Sequence, residues 1–259
     1  MTPFITISNS GPLRTLTMSN PDRRNAVPPS GWRELAEAFR DFETSPERVL
    51  ILAGADGDFC AGADLNAESV SRPSAADNAK RMRRTNAAAT ALHRISKPTM
   101  AAIDGVAVGA GMNLALGCDI AIATDRARFS EIFVRRGLTL DLAGTWLLPR
   151  LVGLARAREL ALTGRIFGAR EALDMGLVAD VVPAGDLMER VREIATTLAA
   201  GAPLAQSIIK RALDRSSSMT FEQSVAFEEQ AQAILLGSED VIEGAAAFIE
   251  KRDARFEGR

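Results

Sequence analysis

Tyrosine is absent from the 259 residues, histidine occurs once, at His93, and cysteine twice, at Cys60 and Cys118. So little histidine argues against the usual Ser-His-Asp, Cys-His and multi-histidine metal arrangements. The two cysteines form no CxxC pair, so neither a disulfide framework nor a structural zinc site is expected, and a reduced compartment fits. Charge of one sign is also missing. Against 31 Lys and Arg stand 33 Asp and Glu, a formal net charge of −2, which gives no basic excess for phosphate-backbone binding, and nucleic acid is not an expected partner. No stretch reaches the roughly 18–20 apolar residues of a membrane span. The opening MTPFITISNSGPL lacks a basic segment followed by a long apolar run, so the cytoplasm is the expected location. Acid–base chemistry is left to carboxylates, lysine, cysteine or backbone dipoles.

What is present suits a large core: 47% of residues are hydrophobic and 25% charged, and a chain this long buries roughly 70–75% of its unfolded surface. Strands are expected at 4–8 and 13–18, joined by Ser10-Gly11-Pro12, a turn signal. Trp32, Leu35, Ala36, Phe39 and Phe42 recur at helical spacing, and buried strands follow at 49–53, 100–103 and 118–123. Helices are expected from Asp77 to Ile95 and from Leu142 to Leu151, the latter ending near Pro149. This alternation implies an α/β core. From Ala184 onward only helices are expected, at 185–200, 203–216, 221–236 and 239–251. Pro203 suits a first helical turn, and Thr220 with Gln223 has capping-box spacing. Phe221, Val225, Phe227, Ile234, Leu235, Phe248 and Ile249 make these last helices too apolar to stand alone, so they are expected to bury against the core or another subunit.

Two turns of small residues could carry chemistry: Phe59-Cys60-Ala61-Gly62-Ala63-Asp64-Leu65, and Gly105 to Asn113. Small side chains let a ligand reach backbone N–H groups, which act as preorganised donors to an oxyanion or phosphate; close packing is the alternative reading. Gly109-Ala110-Gly111 lacks the third glycine of a dinucleotide fingerprint, and the chain has neither a GK[ST] phosphate loop nor a GxSxG elbow.

FCAGADL at 59–65, DGVAVGAGMNLALGCDI at 104–120, GTWLLPRLVG at 144–153, EALDMGLVADVVP at 171–183 and AAFIEKRDARFEGR at 246–259 together resemble the enoyl-CoA hydratase/isomerase, or crotonase, superfamily. The resemblance implies a crotonase-like α/β spiral of ββα repeats over residues 1–184 and a C-terminal helical trimerisation or lid region over 185–259. It further implies an acyl-CoA thioester substrate, a homotrimer or a hexamer made as a dimer of trimers, and neither a metal nor a redox cofactor. The family's two oxyanion donors fall on the N–H groups of Ala63 and Ala110. Hydratases of the family carry glutamates at two positions that here hold Asn113 and Phe133, neither of which serves as acid or base. Ordinary hydration is therefore not expected.

Asp141 stands where isomerase branches often place an aspartate, and GLxxDxxGTWLLPRLVG resembles those branches more than the hydratases. It is read either as a proton shuttle or as the N-cap of the helix beginning at Leu142. Glu131, two residues before Phe133, would share its face on a strand and could enter the pocket through a bulge; the competing reading is a peripheral carboxylate paired with Arg135 or Arg136. Asn113 could orient water or substrate, or bond at the helix start. Arg23, Arg24, Asn25 and Ala26 match the family's turn along the pantetheine and phosphates, with a solvated turn as the alternative for Arg23 and Arg24. Lys251 matches a position that reaches a neighbouring subunit's nucleotide. Ala61 and Leu65 would line the coenzyme channel; Asp64 is read as a helix cap, Cys60 as a small buried residue and His93 as a surface residue. Phe133, Leu140, Trp146 and the stretch 68–90 would form the far wall of the acyl pocket. Three functions stay open: an enoyl-CoA isomerase using Asp141, a hydratase with a non-standard acid or base, and a non-catalytic acyl-CoA binder.

Overall fold

A computed structural model describes residues 3–65 and 74–259. Strand β1 (Ile5–Ser10) turns back at Gly11 onto β2 (Leu13–Met18), pairing Ile5 with Met18 and Ser10 with Leu13. Helix α1 (Gly31–Thr44) then sends Trp32, Leu35, Ala36, Phe39 and Phe42 inward, the face its spacing predicts, and β3 (Val49–Gly54) pairs in parallel with β2. Helix α2 (Ala75–His93) starts at Ser74, whose hydroxyl accepts from the Asp77 N–H.

From here the chain alternates between two sheets. β4 (Thr99–Ile103) extends the main sheet and β5 (Val106–Val108) opens a second; α3 (Ala110–Leu116) follows; β6 (Ile120–Thr124) returns to the main sheet and β7 (Arg128–Ser130) to the second. After α4 (Gly144–Val152) and α5 (Leu154–Thr163), β8 (Phe167–Gly168) completes the small sheet β5-β7-β8. Past α6 (Ala169–Asp174), β9 (Asp180–Val182) completes the order β1-β2-β3-β4-β6-β9. Two strands and a helix per turn make a spiral of ββα units, as the resemblance implied. Because the main strands from β2 to β9 run parallel and are covered on both faces, they read as continuous apolar runs such as Val49-Leu50-Ile51-Leu52.

One face of the main sheet packs against α1, α2 and α3 through Phe39, Phe42, Leu92 and Met112. The other takes Leu187, Val191, Ala195 and Ala199 of α7 (Leu187–Ala200). The first of the expected C-terminal helices therefore closes the core on this face. Helices α8 (Pro203–Ser216), α9 (Phe221–Leu235) and α10 (Glu239–Glu250) follow, with Pro203 in the first turn and the Thr220–Gln223 capping box both formed. Lys210 of α8 pairs with Asp119 at 2.8 Å, and Arg48 donates to the carbonyls of Gly201 and Phe256. Phe221, Phe248 and Ile249 remain exposed, at 78%, 86% and 79%, so this chain's own core does not cover them. No helix among the described residues is long and apolar enough to cross a membrane.

Two local expectations are corrected. The helix expected from Leu142 begins at Gly144, because Leu142 and Ala143 adopt positive φ of 47° and 64°. Pro149 lies inside that helix, past its first turn, where its missing N–H removes one intrahelical bond. The strand expected to carry Glu131 and Phe133 together ends at Ser130, and Ile132–Arg136 winds as a 3-10 helix.

Candidate active site

Both small-residue turns are held edge to edge. Cys60 N–H donates to Val106 O at 2.8 Å and Val108 N–H to Cys60 O at 3.0 Å, so the first turn runs as a short parallel strand beside β5. Close approach needs glycine: a Cβ on Gly111 would lie 2.2 Å from Cys60 O, and one on Gly62, at φ +93°, would lie 2.9 Å from Val108 O and 3.6 Å from Ala110 N. The Ala63 and Ala110 N–H groups donate to no atom among the described residues, and Ala110 opens α3, where the helix dipole adds positive potential. Two unpaired donors on touching turns are the arrangement that an oxyanion site requires.

The 23–26 turn is part of the same assembly. Ala61 N–H donates to Arg24 O, Val27 N–H to Gly62 O and Asp64 N–H to Val27 O, which brings Arg23, Arg24, Ala26, Ala61, Asp64 and Leu65 to one side of the first turn. Arg23 Nε lies 4.0 Å from Asp64 and Arg24 Nε 3.9 Å from Asp58. Both guanidinium groups are mostly exposed, which suits contact with a charged ligand at the surface. Asn25, at positive φ and buried, anchors this turn: its amide donates to Ala55 O and Asp58 O, and its carbonyl accepts from Asn20 N–H. Sequence reading treated Asn25 as a motif position and missed this clamp.

On the other side of the α3 N-terminus three polar side chains converge. Gly109 N–H donates to Ser130 O at 2.8 Å, placing Glu131 one residue past the contact that positions Ala110. Asn113, one turn into α3, donates from Nδ2 to Asp141 O at 3.0 Å. Gly144 lets this happen, since a Cβ there would lie 2.4 Å from the Asn113 amide. Asn86 Oδ1 accepts from Leu142 N–H at 3.2 Å; nothing in the α2 sequence marks that role. Glu131 and Asn113 are 0% and 1% exposed. Asn113 Oδ1, both Glu131 oxygens and Asp141 Oδ1 have no hydrogen-bond partner among the described residues. Buried polar atoms are nearly always paired, so four orphans in one place mark a functional feature.

Electrostatics separates the two carboxyls. Burial, with the Asp141 charge nearby, pushes Glu131 up to about 8 although Asn113 works against the shift. Burial pushes Asp141 up to about 6, against a bond from its own N–H. At neutral pH Glu131 therefore keeps its proton while Asp141 is mostly ionised. The helix-cap reading of Asp141 fails, because α4 is preceded by Ala143 and has no side-chain cap. The peripheral reading of Glu131 fails as well: it is enclosed, with no ion pair to Arg135 or Arg136 among the described residues.

The sequence model of the enoyl-CoA hydratase/isomerase family matches residues 9–259. The chain belongs to this family. It is 36% identical to the 1,2-epoxyphenylacetyl-CoA isomerase of Escherichia coli K12, with 95% of each chain covered. It is 33% identical to a short-chain-enoyl-CoA hydratase of Clostridium acetobutylicum, covering 96% of this chain and 95% of that one. Among solved structures, an enoyl-CoA hydratase from Bacillus anthracis superposes with a TM-score of 0.94 at 30% identity, over 99% of this chain and 100% of the other. The enoyl-CoA hydratase/isomerase fold thus carries both reaction types among these relatives.

Other expected site residues lie elsewhere. Phe133 is buried beside Gly109, where a Cβ on that glycine would meet its ring at 3.7 Å. Trp146 points away from Asp141 into a crevice of about 560 Å³ at the other end of α3, among Cys118, Arg150 and Lys210. There Arg150 stacks over its ring at 4.0 Å and the exposed His93 meets it edge-on at 5.5 Å. Lys251 ends α10 at positive φ, on the exposed helices. Cys60 is buried behind the first turn, its thiol pushed up to about 12 by burial, and Leu65 is exposed. Of the expected far wall, the part at 68–73 lies outside the described residues.

Proposed function

We propose that this protein is an enoyl-CoA isomerase that shifts a double bond through a thioester enolate. The Ala63 and Ala110 N–H groups hold the thioester oxygen and Asp141 moves the proton. Asp141 removes a proton beside the carbonyl, the C–H pair becomes the enolate, and the proton returns further along the chain. A missing oxyanion donor of this kind costs about 2.7–4 kcal/mol in such reactions. The observation that carries the reading is Asp141 itself, half-buried with a free Oδ1, capping nothing, and held through its backbone by Asn113. Arg23, Arg24 and the 61–65 turn would take the coenzyme, with charge of the right sign. Proton transfers between carboxyl and carbon balance without a metal or redox group. The exposed apolar residues of α9 and α10 fit a contact with further copies, as a trimer or hexamer.

The test is 3-hexenoyl-CoA followed by proton NMR. Conjugated 2-hexenoyl-CoA without hydroxyacyl-CoA is expected, and Asp141→Asn removes turnover while acyl-CoA affinity stays within about twofold. Hydroxyacyl-CoA as the product favours the second reading, a hydratase drawing its proton from Glu131, which the burial of that carboxyl supports. Bound but unchanged substrate favours an acyl-CoA binder.

A further inference from the structure

Asp141 stands on the least regular part of the site. Residues 137–143 form neither helix nor strand, and 137–139 are exposed. A four-residue turn fixes the chain there: Gly144 N–H donates to Asp141 O at 2.9 Å, and both central residues, Leu142 and Ala143, adopt positive φ. Turns of this hand favour glycine or asparagine at their centre, because a Cβ crowds the backbone in that conformation. Leucine and alanine keep it only where the surroundings impose it. The restraint is visible on the Asp141–Leu142 peptide. Its carbonyl accepts a second bond, from Asn113 Nδ2 of α3 at 3.0 Å, and its N–H donates to Asn86 Oδ1 of α2 at 3.2 Å. The Leu142 side chain is sunk in the core, 1% exposed. Asn86 lies in the middle of α2, just before Ala87-Ala88-Ala89, where asparagine is a poor helix former, and it is exposed, so neither helix propensity nor packing accounts for it.

We propose that Asn86 is a positioning residue for Asp141: by holding the Leu142 N–H it keeps the turn in its positive-φ form, and so fixes the direction in which the carboxyl leaves the chain. The inference rests on the isomerase reading and deepens it with a residue from another helix, 56 positions away in the chain. Asn86 acts through the backbone of Asp141 and Leu142. Without its oxygen the peptide keeps the Asn113 and Gly144 bonds on its carbonyl but is released on its N–H side, and the two central residues relax toward negative φ. The carboxyl then spends less time within reach of the proton beside the thioester, and a small misplacement of a reacting group is costly in rate. The turns at 23–26 and 61–65, which would take the coenzyme, are held by their own bonds and stay as they are.

The test separates kcat from binding. Turnover of 3-hexenoyl-CoA is measured beside calorimetric binding of hexanoyl-CoA, which cannot react, for wild type, Asn86→Ala, and Asn86→Ala combined with Ala143→Gly. Alanine is the better helix former, so α2 stays intact in both variants. Asn86→Ala is expected to lower kcat about tenfold or more while the hexanoyl-CoA dissociation constant stays within about twofold. Glycine at 143 takes positive φ without strain, so the double variant forms the turn without the clamp and is expected to recover kcat to within about threefold of wild type. Unchanged kcat in Asn86→Ala, losses of kcat and affinity by the same factor, or no recovery in the double variant overturns the positioning role and leaves the isomerase reading intact. Absence of any isomerised product from the wild type overturns both.

Discussion

The α3 N-terminus and the last three helices are unsatisfied in opposite ways. Around α3 the apolar groups are fully packed and polar atoms of Glu131, Asn113 and Asp141 lack partners. On α9 and α10 the polar helix starts are well capped, by Thr220 with Gln223 and by Ser238, while Phe221, Phe248 and Ile249 are exposed. The first pattern suits a small polar reaction in an enclosed space; the second suits burial of an apolar face by a neighbouring chain. In the proposed reading, chemistry and assembly fall on different parts of one fold.

The contrast can be broken most strongly at Asp141. Asp141→Asn is expected to lower kcat by about 10²–10⁴-fold, the range for a positioned general base, with little change in thermal stability; unchanged turnover would remove Asp141 from the chemistry. Gly111→Ala comes next. Its Cβ would lie 2.2 Å from Cys60 O, so it is expected to force the two turns apart, cost about 1–3 kcal/mol or more, and abolish activity; a variant of wild-type melting temperature contradicts the tight contact.

The pH profile sharpens the polar side of the comparison. kcat/KM is expected to rise as Asp141 ionises near 6 and to fall as Glu131 ionises near 8, with Glu131→Gln losing the alkaline limb. Stability has its own sign. Unfolded Glu131 ionises near 4.5, whereas the folded protein holds its proton to about 8. Its contribution is therefore full below 4.5 and is lost as pH rises through about 8. Denaturant titrations of Glu131→Gln are expected to show a shallower decline across that window, and parallel wild-type and variant curves would contradict it. The smallest effect on the fold is expected at Phe248→Ser. With 86% of Phe248 exposed, unfolding of the single chain should change by no more than about 0.5 kcal/mol, while sedimentation shows reduced self-association.

Much of this was readable in the sequence. The parallel strands announced themselves as unbroken apolar runs, the capping box by its spacing, and both touching turns by their small residues. Glu131 was misjudged because strand alternation was carried past Ser130, where the chain in fact bends into a 3-10 helix. Trp146 lines the crevice at the other end of α3, beside Cys118 and Lys210, a placement that local spacing does not encode. Asn25 and Asn86 act across gaps of 33 and 56 residues, to Asp58 and Leu142, and local pattern says nothing about such distances.

The sequence by itself determined the α/β spiral and the two turns of small residues, because propensity, periodicity and residue type are local properties. Only the tertiary structure decided which carboxyls are buried. Burial and mutual repulsion separate Glu131 from Asp141 in acidity, and both arise from chain segments brought together by packing.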